Sequence, residues 1–139
     1  MKKSKLINSD ISLEISKLGH TDGIVISDAG LPIPENVKRI DLAVKKGVPS
    51  FLDVLDSVLD EQRIEEIIIA KEMKEKSPTM YKSLIDKIKD IETKEDISIE
   101  IKEIDHEEFK QRTNDVKAII RTGEYTPFAN VILKSGVVF

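Results

Sequence analysis

The sequence predicts an α/β fold, a single domain over residues 1–139 built on one mostly parallel sheet covered by helices. Segments with apolar residues at helical spacing alternate with short β-branched runs along the chain. Those runs, of which Ile24-Val25-Ile26 and Ile67-Ile68-Ile69 are the clearest, leave no polar face for water, as expected of strands covered on both sides. No internal repeat, low-complexity tract or linker divides the 139 residues, a length that suits one core.

Leu6, Ile11, Ile15 and Leu18 recur at helical spacing around the capping residues Asn8, Ser9 and Asp10. Gly19 stands where helices commonly stop, which predicts a first helix ending just before His20. Gly23 to Ser27 reads as a buried strand with Asp28 at its C-terminal end. Pro32 and Pro34 remove amide donors and hold "AGLPIP" as a rigid extended loop, and "RIDLAV" is read as a second strand. In "GVPSFLDVLDSVLDEQ", Ser50 is the N-cap of a helix that carries Phe51, Leu52, Leu55, Val58 and Leu59 on one face. The central strand in "RIEEIIIAKEM" is followed by a helix that starts at Ser77, takes Pro78 in its first turn and buries Met80, Leu84, Ile88 and Ile91. "DISIEIKEI" alternates Ile97, Ile99 and Ile101 with polar residues, the pattern of a strand with one wet face. Asp105, with Glu108 three residues on, predicts the start of a helix in "DHEEFK", and "KAIIRTG" and "NVILKSGVVF" are the last strands.

Charge and composition narrow the function. The chain carries 22 Lys and Arg against 26 Asp and Glu, well mixed, for a formal charge of -4. No basic stripe invites nucleic acid. The lack of cysteine excludes disulfides, thiolate zinc sites, iron–sulfur clusters and a cysteine nucleophile. "MKKSKLINSD" has the basic start of an export signal without the apolar stretch behind it, and no run approaches the roughly 20 residues of a membrane span. A soluble, cytoplasmic protein with no membrane partner is expected. Dinucleotide-binding and nucleotide-binding glycine motifs, a G-x-S-x-G elbow and histidine pairs at metal-ligand spacing are all missing. Proton transfer on a small polar ligand, with no metal and no other cofactor, is the chemistry left standing.

His20 and His106 are the only histidines, and each falls where an element ends or begins. Strand ends are where α/β sheets present ligands, so the segment "LGHTDGIVISDAGLPIP" suggests that one strand holds His20 and Asp28 on one rim of a pocket. The plainer alternative makes His20 a turn residue and Asp28 a strand terminator. Lys110 projects from the same helical face as His106, or simply pairs with a neighbouring acid. The loop "RTGEYTPFAN" brings Tyr125, Phe128, Ala129 and Asn130 together in a chain with few aromatics. Aromatic faces for C–H surfaces, amides and carboxylates for hydroxyls, and imidazole for proton traffic suit a sugar. Against that stands a Phe128 that is merely core and an Asn130 that merely turns the chain.

Over essentially the whole chain the sequence resembles the ribose and fucose mutarotase family. The resemblance is carried by "LINSDIS", "LGHTDGIVISDAGLPIP", "RIDLAV", "GVPSFLDVL", "IIIAKE", "HEEFK" and "IRTGEYTPFANVILKSGVVF". It implies a cofactor-independent isomerase that interconverts pyranose and furanose forms of D-ribose. It also implies a ring-shaped homo-oligomer, typically a decamer, with sites between neighbouring subunits. Residue by residue, the resemblance makes His20 the catalytic proton donor and puts Asp28, His106 and Phe128-Ala129-Asn130 at substrate-binding positions, with Lys110 near the sugar. The family commonly has tyrosine where this chain has Phe128, so a ring face is kept and a hydroxyl is lost. Fucose mutarotase activity, or a sugar-binding or regulatory role without turnover, are the alternatives.

Overall fold

The computed structural model describes residues 1–139. In chain order the elements are α1 (Ser9–Lys17), β1 (Gly23–Ser27), β2 (Lys38–Asp41), α2 (Phe51–Leu59), β3 (Ile64–Ala70), α3 (Lys71–Lys76), α4 (Pro78–Glu95), β4 (Glu100–Ile104), α5 (His106–Arg112), β5 (Ala118–Arg121) and β6 (Val131–Ser135). The strands form one six-stranded sheet in the order β2-β5-β1-β6-β3-β4. β6 runs antiparallel to both of its neighbours, β1 and β3, and every other pairing is parallel. The reason lies in the connection. A parallel return needs a crossover of about a dozen residues or more, and the segment 122–130 between β5 and β6 is shorter than that. It therefore passes over the carboxyl end of β1 and feeds the chain back in the opposite direction.

The β-branched runs are buried on both faces as expected. Ile24 and Ile26 join Ile67 and Ile69 in the larger core under α1 to α4, whereas Val25, Ile68, Ile119 and Ile132 face a smaller one. That second core is closed by Phe109 of α5 and by Leu31 and Val37 of the extended segment that the two prolines stiffen. Full burial of Phe109 contributes roughly 1.5–3 kcal/mol toward holding the short α5 in place.

Several local expectations shift. Asn8 caps α1 by accepting from the Ile11 amide at 2.9 Å, so Leu6 lies ahead of the helix. Glu14 is buried within α1's inner face, between the Lys17 and Lys38 ammonium groups. In α2, Ser50 Oγ accepts from the Asp53 amide as predicted, but Val54 is buried where Leu52 is expected, and Leu52 is only partly buried. Met80 and Ile91 of α4 are only partly buried, and α3 turns off directly from β3. The alternating isoleucines begin too early: β4 starts at Glu100, where pairing with Glu66 of β3 begins, and Ile101 is exposed on this edge strand.

Candidate active site

With five strands parallel, the residues that follow β1, β3, β4 and β5, together with the residues that lead into β6, share one edge of the sheet. Asp28, His106 and the Phe128-Ala129-Asn130 segment all meet there. Asp28 and Asn130 are locked as a reciprocal pair. The Asp28 amide donates to Asn130 Oδ1 at 2.9 Å, and Asn130 Nδ2 donates to Asp28 Oδ2 at 3.1 Å. Only one orientation of the amide satisfies both bonds. Asp28 Oδ1 accepts from the amides of Gly30 and Leu31, each at 2.9 Å, which fixes the carboxylate before any ligand arrives.

The loop above β1 is held by Glu124 and Ser77. Glu124 Oε1 accepts from the Tyr125 and Thr126 amides and from Thr126 Oγ1, while its Oε2 accepts from the Phe51 amide at the start of α2. Burial works to raise the pKa of this carboxyl, but the four donors outweigh it and hold the group below the ordinary glutamate range. Ser77 Oγ donates to the Pro127 carbonyl at 2.6 Å, tying the α3–α4 corner to the loop. Gly123 is required where the loop crosses residues 45–48, because a Cβ there would lie 2.4 Å from the Val48 carbonyl oxygen.

Phe128 sits in the left-handed region at φ +63, a strained conformation for an aromatic residue. Its ring meets His106 edge-on at 4.9 Å, and His106 stacks on Phe109 at 6.4 Å. His106 Nδ1 is buried without a hydrogen-bond partner, an atom with capacity to spare for a ligand. Ala129 is fully buried beneath the loop. Lys110 pairs with Glu107 at 2.6 Å, the plain ion pair with a neighbouring acid. Beside Asp28 a cleft of about 380 Å³ is lined by Ala29, Gly30, Arg121, Glu124 and Tyr125, with Arg121 held by two bonds to Asp41.

His20 is not on this edge. It precedes β1 whereas Asp28 follows it, so the five residues of the strand, spanning about 13 Å, separate them within one chain. The expectation of a shared rim fails for that reason. His20 stands at the opposite edge in a tight turn, where Asp22 Oδ2 accepts from the Gly19 amide and Thr21 is held at φ +68. Its Nε2 lies 2.9 Å from Glu65 Oε2 on β3.

Residues 1–138 match the model of the RbsD / FucU transport protein family. The chain belongs to that family. The chain is similar to the D-ribose pyranases of Vibrio parahaemolyticus and Clostridium novyi, each 53% identical over 139 residues, covering 100% of both chains. Among solved structures, Bacillus subtilis RbsD complexed with D-ribose is 44% identical with a TM-score of 0.89, covering 100% of both chains. The fucose mutarotase of Streptococcus pneumoniae, in complex with L-fucose, is 27% identical with a TM-score of 0.74 over the same full coverage.

Glu65, Glu72 and Glu124, and the Ser77 bond to the loop, carry almost no signal in the sequence as parts of this site. The His106 amide donates to the Glu72 carboxylate at 3.0 and 3.2 Å, whereas Asp105, expected as the cap, makes no capping bond and turns toward Lys71. Only the "TGEYT" spacing, an acid two residues before a threonine in a turn, carried any local signal for Glu124.

Proposed function

We propose that this chain is a cofactor-independent isomerase that interconverts the pyranose and furanose forms of D-ribose. The carrying observation is the full-length, 53% identity to D-ribose pyranases of two organisms. The fixed Asp28–Asn130 pair beside His106 and Phe128 supports it from geometry. It supplies two directional polar groups, a ligand-ready imidazole and an aromatic edge in one place, as a monosaccharide requires.

In this reading Asp28 and Asn130 grip sugar hydroxyls, Phe128 packs on the C–H face, Ala129 shapes the floor, and His106 accepts or donates a further bond. Lys110 lies near the sugar and exchanges Glu107 for it. His20 delivers a proton to the ring oxygen as the C1–O bond breaks, while the anomeric hydroxyl passes its proton to water. That leaves the open-chain aldehyde and a neutral His20, which takes the proton of the attacking hydroxyl on reclosure as the aldehyde oxygen regains one from water. Attack by a different hydroxyl on C1 then closes the other ring size. Imidazole, with a reference pKa of about 6.5, moves protons readily at neutral pH, and general acid–base catalysis typically contributes roughly 10² to 10⁴ in rate.

Because β1 holds His20 and Asp28 at opposite ends, a site that uses both takes His20 from one subunit and the Asp28 cluster from its neighbour. A ring-shaped homo-oligomer, a decamer in this reading, would repeat that junction around its circumference. The enzyme acts in the cytoplasm, on ribose entering metabolism. The test is magnetization transfer between ribose ring forms, with calorimetric titration for affinity. His20→Ala should bind ribose yet exchange ring forms near the uncatalysed rate, whereas Asp28→Ala should bind poorly. Catalysed exchange retained by a folded His20→Ala would overturn the reading. A second reading, fucose as substrate, draws on Phe128 lacking the hydroxyl, and the same assay on L-fucose decides it.

A further inference from the structure

The structure assigns to Glu65 the task of positioning His20, an inference that rests on the proton-donor reading above. The His20 ring makes one hydrogen bond within the chain, from Nε2 to Glu65 Oε2 at 2.9 Å. Both side chains are half exposed, 54% for His20 and 42% for Glu65, so the pair does little for the stability of a single chain. Its value is directional. An ionised carboxylate only accepts, so Nε2 must carry the proton of that bond, and Nδ1 is the nitrogen left facing outward, the one that holds the transferable proton in the imidazolium that donates and the lone pair that takes it back.

The backbone beneath is built to the same end. Thr21, a β-branched residue, is held at φ +68, where such residues are rarely found. The Thr21 amide donates to the Ser135 carbonyl at 2.8 Å, the Ser135 amide donates to the Asp22 carbonyl at 2.8 Å, and the Gly19 amide donates to Asp22 Oδ2. These bonds anchor the turn to the end of β6, next to the start of β3, where Glu65 stands. A strained turn and a carboxylate on a rigid strand thus converge on one imidazole. Glu65 touches neither sugar nor reacting atoms in this assignment; it acts through the orientation of His20.

The test compares Glu65→Leu, Glu65→Gln and His20→Ala in the assembled protein by exchange spectroscopy on ribose, with kcat and KM separated. Glu65→Leu should lower kcat roughly 10-fold to 100-fold with KM little changed, the scale at which misplaced reacting groups act. Glu65→Gln should recover most of that loss, because its amide oxygen still accepts from Nε2–H. Wild-type kcat in Glu65→Leu alongside an inactive His20→Ala would overturn the positioning role alone. So would a loss in Glu65→Gln as deep as in Glu65→Leu, or a rise in KM with kcat unchanged, which would make Glu65 a sugar ligand. Full exchange in His20→Ala would remove the proton-donor reading and this inference with it.

Discussion

Asn130 is 1% exposed and bonded twice to Asp28, which makes it the residue whose loss is felt both in folding and in binding. Asn130→Ala leaves the Asp28 amide without its acceptor and frees one carboxylate oxygen. It should destabilise the chain by about 1–3 kcal/mol in denaturant titration, and calorimetry should show weaker ribose binding. The motif marks Asn130 as a candidate, but its pairing with Asp28 is not legible, since 102 positions of sequence separate the two. Lys110 illustrates the reverse: its ion pair with Glu107, three residues away, is the local interaction that helical spacing always offers.

Elements whose identity rests on their own residues are legible in the sequence. β1, β3 and α2 follow from unbroken β-branched runs and from a serine cap with a matching apolar face. What depends on a neighbour was not legible. The direction of β6 comes from the length of the loop before it, and the true start of β4 comes from pairing with β3. The start of α5 belongs to the same class, because Glu72 of α3 supplies the acceptor that the sequence assigns to Asp105. Glu72→Ala should therefore cost about 1 kcal/mol and loosen the first turn of α5, while Asp105→Ala, which removes an exposed pair with Lys71, should change stability by less than about 0.5 kcal/mol. Equilibrium unfolding of both variants checks the contrast, and equal losses would return the cap to Asp105.

At the scale of the whole molecule, several carboxylates link folding to acid, and Glu14 and Glu124 are the two in which burial is the largest opposing effect. Burial opposes the ionised form of Glu14 and of Glu124. For Glu14, Lys17 and Lys38 reverse that effect; for Glu124, the loop donors do, and both groups are held below the ordinary glutamate value of 4.5. A depressed native pKa gives stability that is complete above the unfolded value and is lost as pH falls through the native one. The melting temperature should hold at neutral pH and fall below about pH 4.5, and Glu124→Gln should flatten that acid limb. A melting temperature independent of pH down to 3.5 in the parent chain, or an acid limb unchanged in Glu124→Gln, would contradict the linkage assigned to that carboxylate.

The same scale holds the largest gap in the sequence reading. His20 and Asp28 flank one strand, and flanking a strand puts residues at its two ends rather than on one rim, a consequence of strand geometry that the motif itself contained. The site proposed above is shared between subunits, and mixing two inactive variants tests that sharing. His20→Ala chains keep Asp28, and Asp28→Ala chains keep His20. If each site draws one residue from either neighbour, random co-assembly should restore about one quarter of wild-type ring exchange, the share of junctions that receive both intact residues. Co-assembled oligomers that stay as inactive as their separate parents would rule out a shared site.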